Sequence, residues 1–140
     1  MHRWAPILAA LAAFALAGCT AQSSTKDSSG KFRGDQRLVA NTVEDFESAA
    51  SKGDQEQICR DLLAKALVNE YARRGGTCED AVDGALKDTD SFGLTVESVS
   101  ITGGQATARV KADRGKNDVM RTLTLVKQGT GWRISEFGAG

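Results

Sequence analysis

The sequence predicts an α+β domain, and three observations lead to that expectation. Apolar residues between Val39 and Leu86 recur with the spacing of helices in three successive segments. After Phe92 the spacing changes to that typical of strands, which recurs in four segments. Glycine-containing turns separate most of these segments. Because the helices come first and the strands follow one another, we expect helices packed on an antiparallel sheet of about four strands.

Length and charge limit what this domain can be. The chain has 140 residues, which allows one domain, with 18 basic and 18 acidic side chains. Removal of a short N-terminal segment containing Arg3 would leave one excess negative charge. A chain without a basic excess offers no electrostatic surface for phosphates, so nucleic acid is not an expected partner.

The N-terminal segment has the layout of a signal peptide. Arg3 provides the basic start, and the apolar run from Ala5 to Ala17 contains no charged residue. This run is shorter than the roughly 20 residues that cross a bilayer core, which argues against an uncleaved anchor. It ends in Leu16-Ala17-Gly18-Cys19, which resembles the lipobox of bacterial lipoproteins.

The lipobox resemblance implies cleavage before Cys19 and lipid, such as palmitate, on that cysteine. Two or more acyl chains would hold the protein stably at the extracytoplasmic face of the cell membrane. An ordinary secreted protein with a chance cysteine is the alternative. Thr20 to Gly34 is rich in Ser, Thr and Gly, which predicts a flexible tether. We therefore expect a signal peptide over 1–18, a lipidated cysteine and tether over 19–34, and a domain over 35–140.

Three helices are predicted at the start of the domain. The first presents one apolar face and ends at Gly53, and Asp54 then caps a second helix. The second ends before Gly75-Gly76, and Thr77 caps the third. The apolar faces are, in order, Val39, Val43, Phe46 and Ala50; then Ile58, Leu62 and Ala66 with Cys59, Leu63 and Leu67 alongside; then Ala81, Val82, Ala85 and Leu86.

Four strands are predicted to follow. In the first, Leu94 to Ile101, the apolar residues change parity, which predicts a bulge near Glu97-Ser98. Gly103-Gly104 forms a hairpin turn, and the next strand alternates cleanly from Ala106 to Ala112. A loop over 113–117, a strand over 119–127 and a turn over 128–131 lead to a last strand with Trp132, Ile134 and Phe137.

Cys59 and Cys78 form a pair inside the predicted domain. An exported chain meets an oxidising compartment, where two such cysteines usually form a disulfide. This bond would join the second and third helices. A redox pair is one alternative, although the spacing is far from Cys-x-x-Cys. A metal site is the other, although two thiols without histidine do not complete a zinc shell.

Three features together resemble the nuclear transport factor 2-like fold over 35–140. They are the order of helices before strands, the Gly53-Asp54 corner, and the closing segment from Gly131 to Ser135. They are most similar to the versions found in small lipoproteins of actinobacteria. The resemblance implies a curved sheet that wraps against the helices and leaves a cone-shaped pocket. Enzymes, transport factors and oligomerisation modules all share this fold, so it does not decide the activity.

Four residues are candidates for such a pocket: Tyr71, Trp132, Arg121 and Glu97. Tyrosine and arginine are among the residues that enzymes resembling this fold place inside the cone, whereas Trp132 offers a flat apolar wall with one donor. Glu97 and Arg121 are candidates for a buried ion pair. The alternatives are helix-end packing for Tyr71, core closure for Trp132 and solvent-facing charges for the other two.

Catalysis is not expected, because the usual side chains are missing. The only histidine, His2, lies in the segment expected to be removed, which takes away the usual general base and the commonest metal ligand. We therefore expect no catalytic residues, no metal and no cofactor.

The expected function is a non-catalytic binding module for a small apolar ligand or an envelope protein partner. One alternative is an isomerase- or cyclase-type enzyme that uses an acid with Tyr71, and a cone-facing acid with a raised pKa would favour it. Another is a structural accessory subunit of an envelope complex, which includes a homodimer through the sheet. An apolar patch on the exposed sheet face would favour that one.

Overall fold

A computed structural model describes residues 29–87, 93–114 and 116–138, and these form an α+β fold. The predicted signal segment, Cys19 and the first part of the tether lie outside the described residues. No helix in the described part has the length and apolar character needed to cross a membrane. The helices are α1 (Gly34–Lys52), α2 (Gln55–Gln57), α3 (Lys65–Arg73) and α4 (Cys78–Lys87), and the strands are β1 (Gly93–Thr102), β2 (Gln105–Arg114), β3 (Asn117–Gln128) and β4 (Gly131–Phe137).

Helix α1 packs its apolar face against the sheet. The predicted face is buried, and Val39 and Val43 are completely inaccessible to solvent. The helix ends where predicted, because Gly53 adopts a φ of 69°, a left-handed conformation that glycine tolerates without strain. The Gly53 and Asp54 amides donate to carbonyls in the last turn of the helix, at 3.1 and 2.9 Å. The corner after α1 is thereby closed by backbone hydrogen bonds.

The second predicted helix does not run unbroken, and that prediction is wrong. Asp54 caps α2 as expected, since its carboxylate accepts from the Gln57 amide at 3.0 Å. A π-helical turn then covers Ile58–Leu62, after which Leu63 and Ala64 are extended and α3 begins. Leu63 forms a parallel bridge with Ile134 of β4, where the Ala64 amide donates to the Ile134 carbonyl at 2.7 Å. This contact with the sheet replaces the helical hydrogen bonds.

The break changes which residues of the segment are buried. Leu62 and Leu63 are almost fully buried. Ala66, which was expected on the same apolar face, is exposed because α3 starts afresh after the extended residues. The described residues therefore form four α-helices where three were expected.

Helix α4 begins at the predicted cap, and a disulfide holds its first residue. The Asp80 amide donates to the Thr77 hydroxyl at 3.1 Å. Cys78 is bonded to Cys59 in the π-helical turn, with their Cα atoms 6.0 Å apart, which confirms the predicted disulfide. Both cysteines are buried. The bond therefore pins α4 to the turn that precedes the break at Leu63.

The sheet is antiparallel and its strands follow chain order, β1-β2-β3-β4. Val96 pairs with Val110 and Ser98 with Arg109, so Glu97 is the additional residue of the predicted bulge. The hairpin turn at Gly103-Gly104 is also confirmed, with Gly103 at a φ of 61°. The loop expected over 113–117 is shorter than predicted, because β2 and β3 continue their pairing to Arg114 and Asn117.

A second bulge lies in β4 and was not predicted. Ile134 pairs with Leu125 and Glu136 with Thr124, which leaves Ser135 as the additional residue. The Ser135 hydroxyl donates to the Thr124 carbonyl at 3.2 Å. This bulge lies before Phe137 and shifts the pairing of β4 by one residue, so that Phe137 pairs with Leu123.

The core lies between α1 and the inner face of the sheet. Trp132 is buried there, and its carbonyl accepts from the hydroxyl of the buried Thr42 at 3.4 Å. At the opposite edge, the Gln36 side-chain amide donates to the Val99 carbonyl of β1 at 3.0 Å. Helix α1 is thus hydrogen-bonded to both outer strands.

The folded part begins before Asp35, the predicted first residue of the domain. Ser29 opens a short 3-10 turn, Ser29–Lys31, and is buried. Its amide donates to the Glu44 carboxylate at 2.7 Å, and Phe32 packs against the core. The domain boundary shifts toward the N-terminus because these residues fold onto α1.

Candidate functional site

A cavity of about 560 Å³ lies between the helices and the inner face of the sheet. Its volume is within the roughly 300–1,000 Å³ that small-molecule sites occupy. Helices and strands both contribute to it, and most of the side chains that line it are apolar. The lining residues are Phe46, Leu63, Tyr71, Ala81, Val82, Ala85, Leu86, Gly93, Leu94, Val110, Ala112, Asp113, Arg121, Leu123, Phe137 and Gly138.

Small and medium apolar side chains leave this space open. Helix α4 presents alanines at Ala81 and Ala85 where larger residues would fill the gap, and Ala112 lies on the inner face of β2. Phe46 and Phe137 meet with ring centroids 5.3 Å apart. Phe137 is 42 % exposed, so this aromatic pair reaches from the core to the solvent.

Arg121 belongs to the apolar face of the sheet. It pairs with the fully buried Val110 and precedes Leu123 by two positions, so all three share the inner face. Its side chain is half-buried and lines the cavity. Within the described part of the chain, Arg121 has no hydrogen bond and no ion pair. A half-buried guanidinium therefore borders an apolar space without a partner among the described residues.

Tyr71 supplies a second polar group from α3. It is half-buried, packs against the core and lines the same cavity. Burial raises the pKa of its hydroxyl above the ordinary value, and the nearby Glu70 adds to that effect while Arg74 opposes it. At neutral pH the hydroxyl is therefore a proton donor, available to an acceptor in the cavity.

Asp113 is the one acidic residue among the described residues that line the cavity. It follows Ala112, so its side chain belongs by strand alternation to the other face of the sheet. It pairs with Gly93, at the end of β2 where the sheet borders the cavity. Asp113 is thus placed at the rim, whereas Arg121 is on the inner face.

Glu97 and Trp132 do not line the cavity. Glu97 occupies the bulge of β1 and is exposed, so the structure does not bring it together with Arg121. Trp132 is 3 % exposed and closes the core. Its Nε1–H has no acceptor among the described residues, and the Lys127 ammonium lies 5.9 Å from the ring centroid. Of the four candidate pocket residues, only Tyr71 and Arg121 border the cavity.

Two lining residues near the C-terminus were not foreseen from the sequence. Phe137 reaches the cavity after the unforeseen bulge at Ser135. Gly138 follows it, and its amide donates to the Thr122 carbonyl at 2.7 Å. A Cβ atom at Gly138 would lie only 2.7 Å from that carbonyl oxygen, so glycine allows the chain to approach β3 this closely. A parity argument on Phe137 could have indicated the bulge, but nothing local indicated Gly138.

The cavity combines an apolar volume with one guanidinium, one phenol and one carboxylate, so it has both apolar surface and polar groups to offer a ligand. In the described part of the chain, no group of three or more His, Cys, Asp or Glu side chains could hold a metal ion. Comparison of the chain with protein-family models, with curated proteins and with solved structures found no match. The ligand of the cavity can therefore be inferred only from the residues that line it.

Proposed function

We propose that this protein is an extracytoplasmic lipoprotein, anchored to the cell membrane through lipid on Cys19, whose domain binds a small apolar ligand. The cavity is the observation that carries the binding function. An apolar space of this size, bordered by a few polar groups, is typical of a ligand site. We also propose a nuclear transport factor 2-like architecture, which the order of helices before a four-stranded antiparallel sheet supports.

The anchoring rests on the N-terminal sequence. The basic start, the uncharged apolar run and Leu16-Ala17-Gly18-Cys19 together favour export followed by lipidation. The disulfide between Cys59 and Cys78 fits a domain that matures outside the cytoplasm. The protein would then hold its cavity close to the membrane surface.

The other two functions have less support. An isomerase or cyclase would need an acid that faces the cavity with Tyr71, yet Glu97 is exposed outside the cavity. Asp113 lines the cavity, but by strand alternation its side chain belongs to the other face of the sheet. A dimer through the sheet would need an apolar outer face. Among the described residues, the outer face of β2 and β3 carries mainly threonines and charges, with Met120 and Val126 as apolar exceptions. We therefore propose neither function.

The anchor is tested in a bacterial host that processes lipoproteins. The full chain and its Cys19→Ala variant are expressed with an alkyne-bearing palmitate analogue, and label and membrane association are measured. We expect label and membrane association in the parent, and no label in the variant. Equal labelling of both chains would overturn the anchor.

The cavity is tested with a neutral photoreactive alkyl probe on the full, exported chain, purified without reductant. We expect labelling of peptides from α4 and the inner face of β2, and competition by excess decanol. Ala112→Phe fills the cavity and should abolish this labelling. Lys111→Phe is the matched control, because it places the same side chain on the other face of the same strand. Labelling that ignores Ala112→Phe would refute binding in the cavity.

A further inference from the structure

We infer that the cavity selects an apolar acid, with the carboxylate at Arg121 and the hydrocarbon part along the apolar wall. This inference rests on the proposed function, because it names the class of ligand that the same cavity takes. It starts from the placement of one charged residue on an otherwise apolar surface.

The inner face of β3 carries two cations, and their surroundings differ. Lys127, at one end, lies 3.7 Å from the Asp35 carboxylate and also contacts the ring of Trp132. Arg121, toward the other end, has neither an acidic nor an aromatic partner within the described residues. The described residues thus supply partners for Lys127 but none for Arg121.

A half-buried guanidinium beside an apolar cavity carries a desolvation cost that a bound anion would offset. The planar guanidinium presents paired N–H donors that match the two oxygens of a carboxylate. Leu123 follows two positions along the same strand, and Ala112 of β2 and Phe137 of β4 also line the cavity. A ligand with its anionic group on Arg121 would therefore lay its apolar part on these side chains.

The number of donors favours a carboxylate over a phosphate. Among the described residues lining the cavity, Arg121 is the only cationic side chain, and Tyr71 adds one neutral hydroxyl. One guanidinium balances one negative charge, whereas a phosphate monoester carries nearly two and three terminal oxygens. A monoanion with a large apolar part fits this charge balance.

The test compares decanoate with decanol as competitors of the photoreactive probe on the full, exported chain. The two competitors have the same alkyl chain and differ in charge at pH 7.5. Arg121→Gln should weaken competition by decanoate about tenfold, the value of a charge-assisted hydrogen bond, and leave decanol unchanged. Because each competitor is compared across variants, its partition into detergent cancels.

One further variant sharpens the result. Arg109→Gln is the matched control, since Arg109 is exposed on the outer face of β2. It removes the same charge and should leave competition by decanoate and by decanol unchanged. Retained competition by decanol in Arg121→Gln shows that the variant keeps its cavity.

The outcomes separate the inference from the proposed function. Equal competition by decanoate and decanol, unaffected by Arg121→Gln, would overturn the selection of an acid while leaving an apolar site. Loss of competition by both decanoate and decanol in Arg121→Gln, with unchanged thermal unfolding, would also overturn it. The residue would then maintain the shape of the cavity without selecting a charged ligand. Competition by decanol but not by decanoate in the parent chain would also overturn the selection of an acid. Failure of both competitors to displace the probe from the parent chain would refute the binding function itself.

Discussion

Removal of the Cys59–Cys78 disulfide should cost this domain a large part of its stability. The bond joins residues 19 positions apart and closes a loop that contains α3. In the chain-entropy model, closing a loop of this length stabilises the folded state by about 3 kcal/mol. Small domains have roughly 5–15 kcal/mol in total. Beyond the disulfide, a hydrogen bond of 3.1 Å between Gln55 and Asp83 joins α2 to α4, and its partly exposed position gives it little weight.

The assay is urea unfolding of the oxidised chain, the reduced chain and a Cys59→Ala, Cys78→Ala double variant. With an m-value of about 1.5 kcal/mol/M, a loss of about 3 kcal/mol lowers the midpoint by about 2 M. The melting temperature should fall by about 12 °C.

Reduction removes the crosslink without removing side-chain atoms. Agreement between the reduced chain and the double variant would therefore assign the loss to the crosslink itself. A loss below about 1 kcal/mol would refute the reasoning, because it would mean that the unfolded chain already keeps α3 and its flanks together without the bond.

Three further predictions concern single positions. Trp132→Phe should change the free energy of unfolding by less than about 1 kcal/mol, because the lost N–H has no acceptor in the described part of the chain. Trp132→Ala should cost about 3–5 kcal/mol in the same urea assay. Equal losses in the two variants would contradict this reasoning. Gly138→Ala should lower the free energy of unfolding by about 1–3 kcal/mol, because its Cβ clashes with the Thr122 carbonyl. Gly131→Ala is the control, since its Cβ meets nothing within 4 Å, and should cause no such loss. An unchanged stability of Gly138→Ala would show that the end of β4 can move away from β3. Tyr71, the only tyrosine, should ionise above the ordinary tyrosine pKa of about 10 in an absorbance titration. The free energy of unfolding should fall as pH rises from about 10 toward the pKa of the folded state. Ionisation below a pH of about 10 would argue against burial of the hydroxyl.

Features of the fold that depend on local chemistry could be predicted from the sequence. Gly53 ends α1 because a left-handed residue is needed there, and Thr77 begins α4 because its hydroxyl satisfies a free amide. The bulge at Glu97 follows from a change of parity within one strand. The disulfide followed from two domain cysteines in a chain that the sequence predicts to be exported. Each of these signals is complete within a few residues or within the composition.

Features that depend on distant contacts could not be predicted. Leu63 leaves the helical conformation because β4 offers it a bridge, and its apolar spacing is the same whether the helix continues or stops. Ser29 folds onto α1 because Glu44 accepts its amide, although its polar neighbours are typical of a tether. The close approach of Gly138 to β3 carries no local signal, because its partner, the Thr122 carbonyl, lies on another strand.

The candidate site could be predicted only in part, because it combines local signals with distant contacts. Residue type singled out Tyr71 and Arg121, and both line the cavity. It also singled out Trp132, which faces inward but lies where α1 fills the space, and Glu97, which the bulge leaves exposed. Strand alternation indicates which face a residue occupies. It does not indicate whether the space above that face is filled, because this depends on the helices packed over it.

The hydrogen bonds at the two outer strands limit how copies of this domain can associate. An unprotected edge strand invites another chain to extend the sheet by pairing its free amides and carbonyls. Here Gln36 occupies the Val99 carbonyl on one edge, Ala64 occupies the Ile134 carbonyl on the other, and a bulge interrupts each outer strand. Neither edge offers an unbroken ladder. Copies of this domain at high local concentration would therefore resist edge-to-edge pairing of their sheets and would remain separate units.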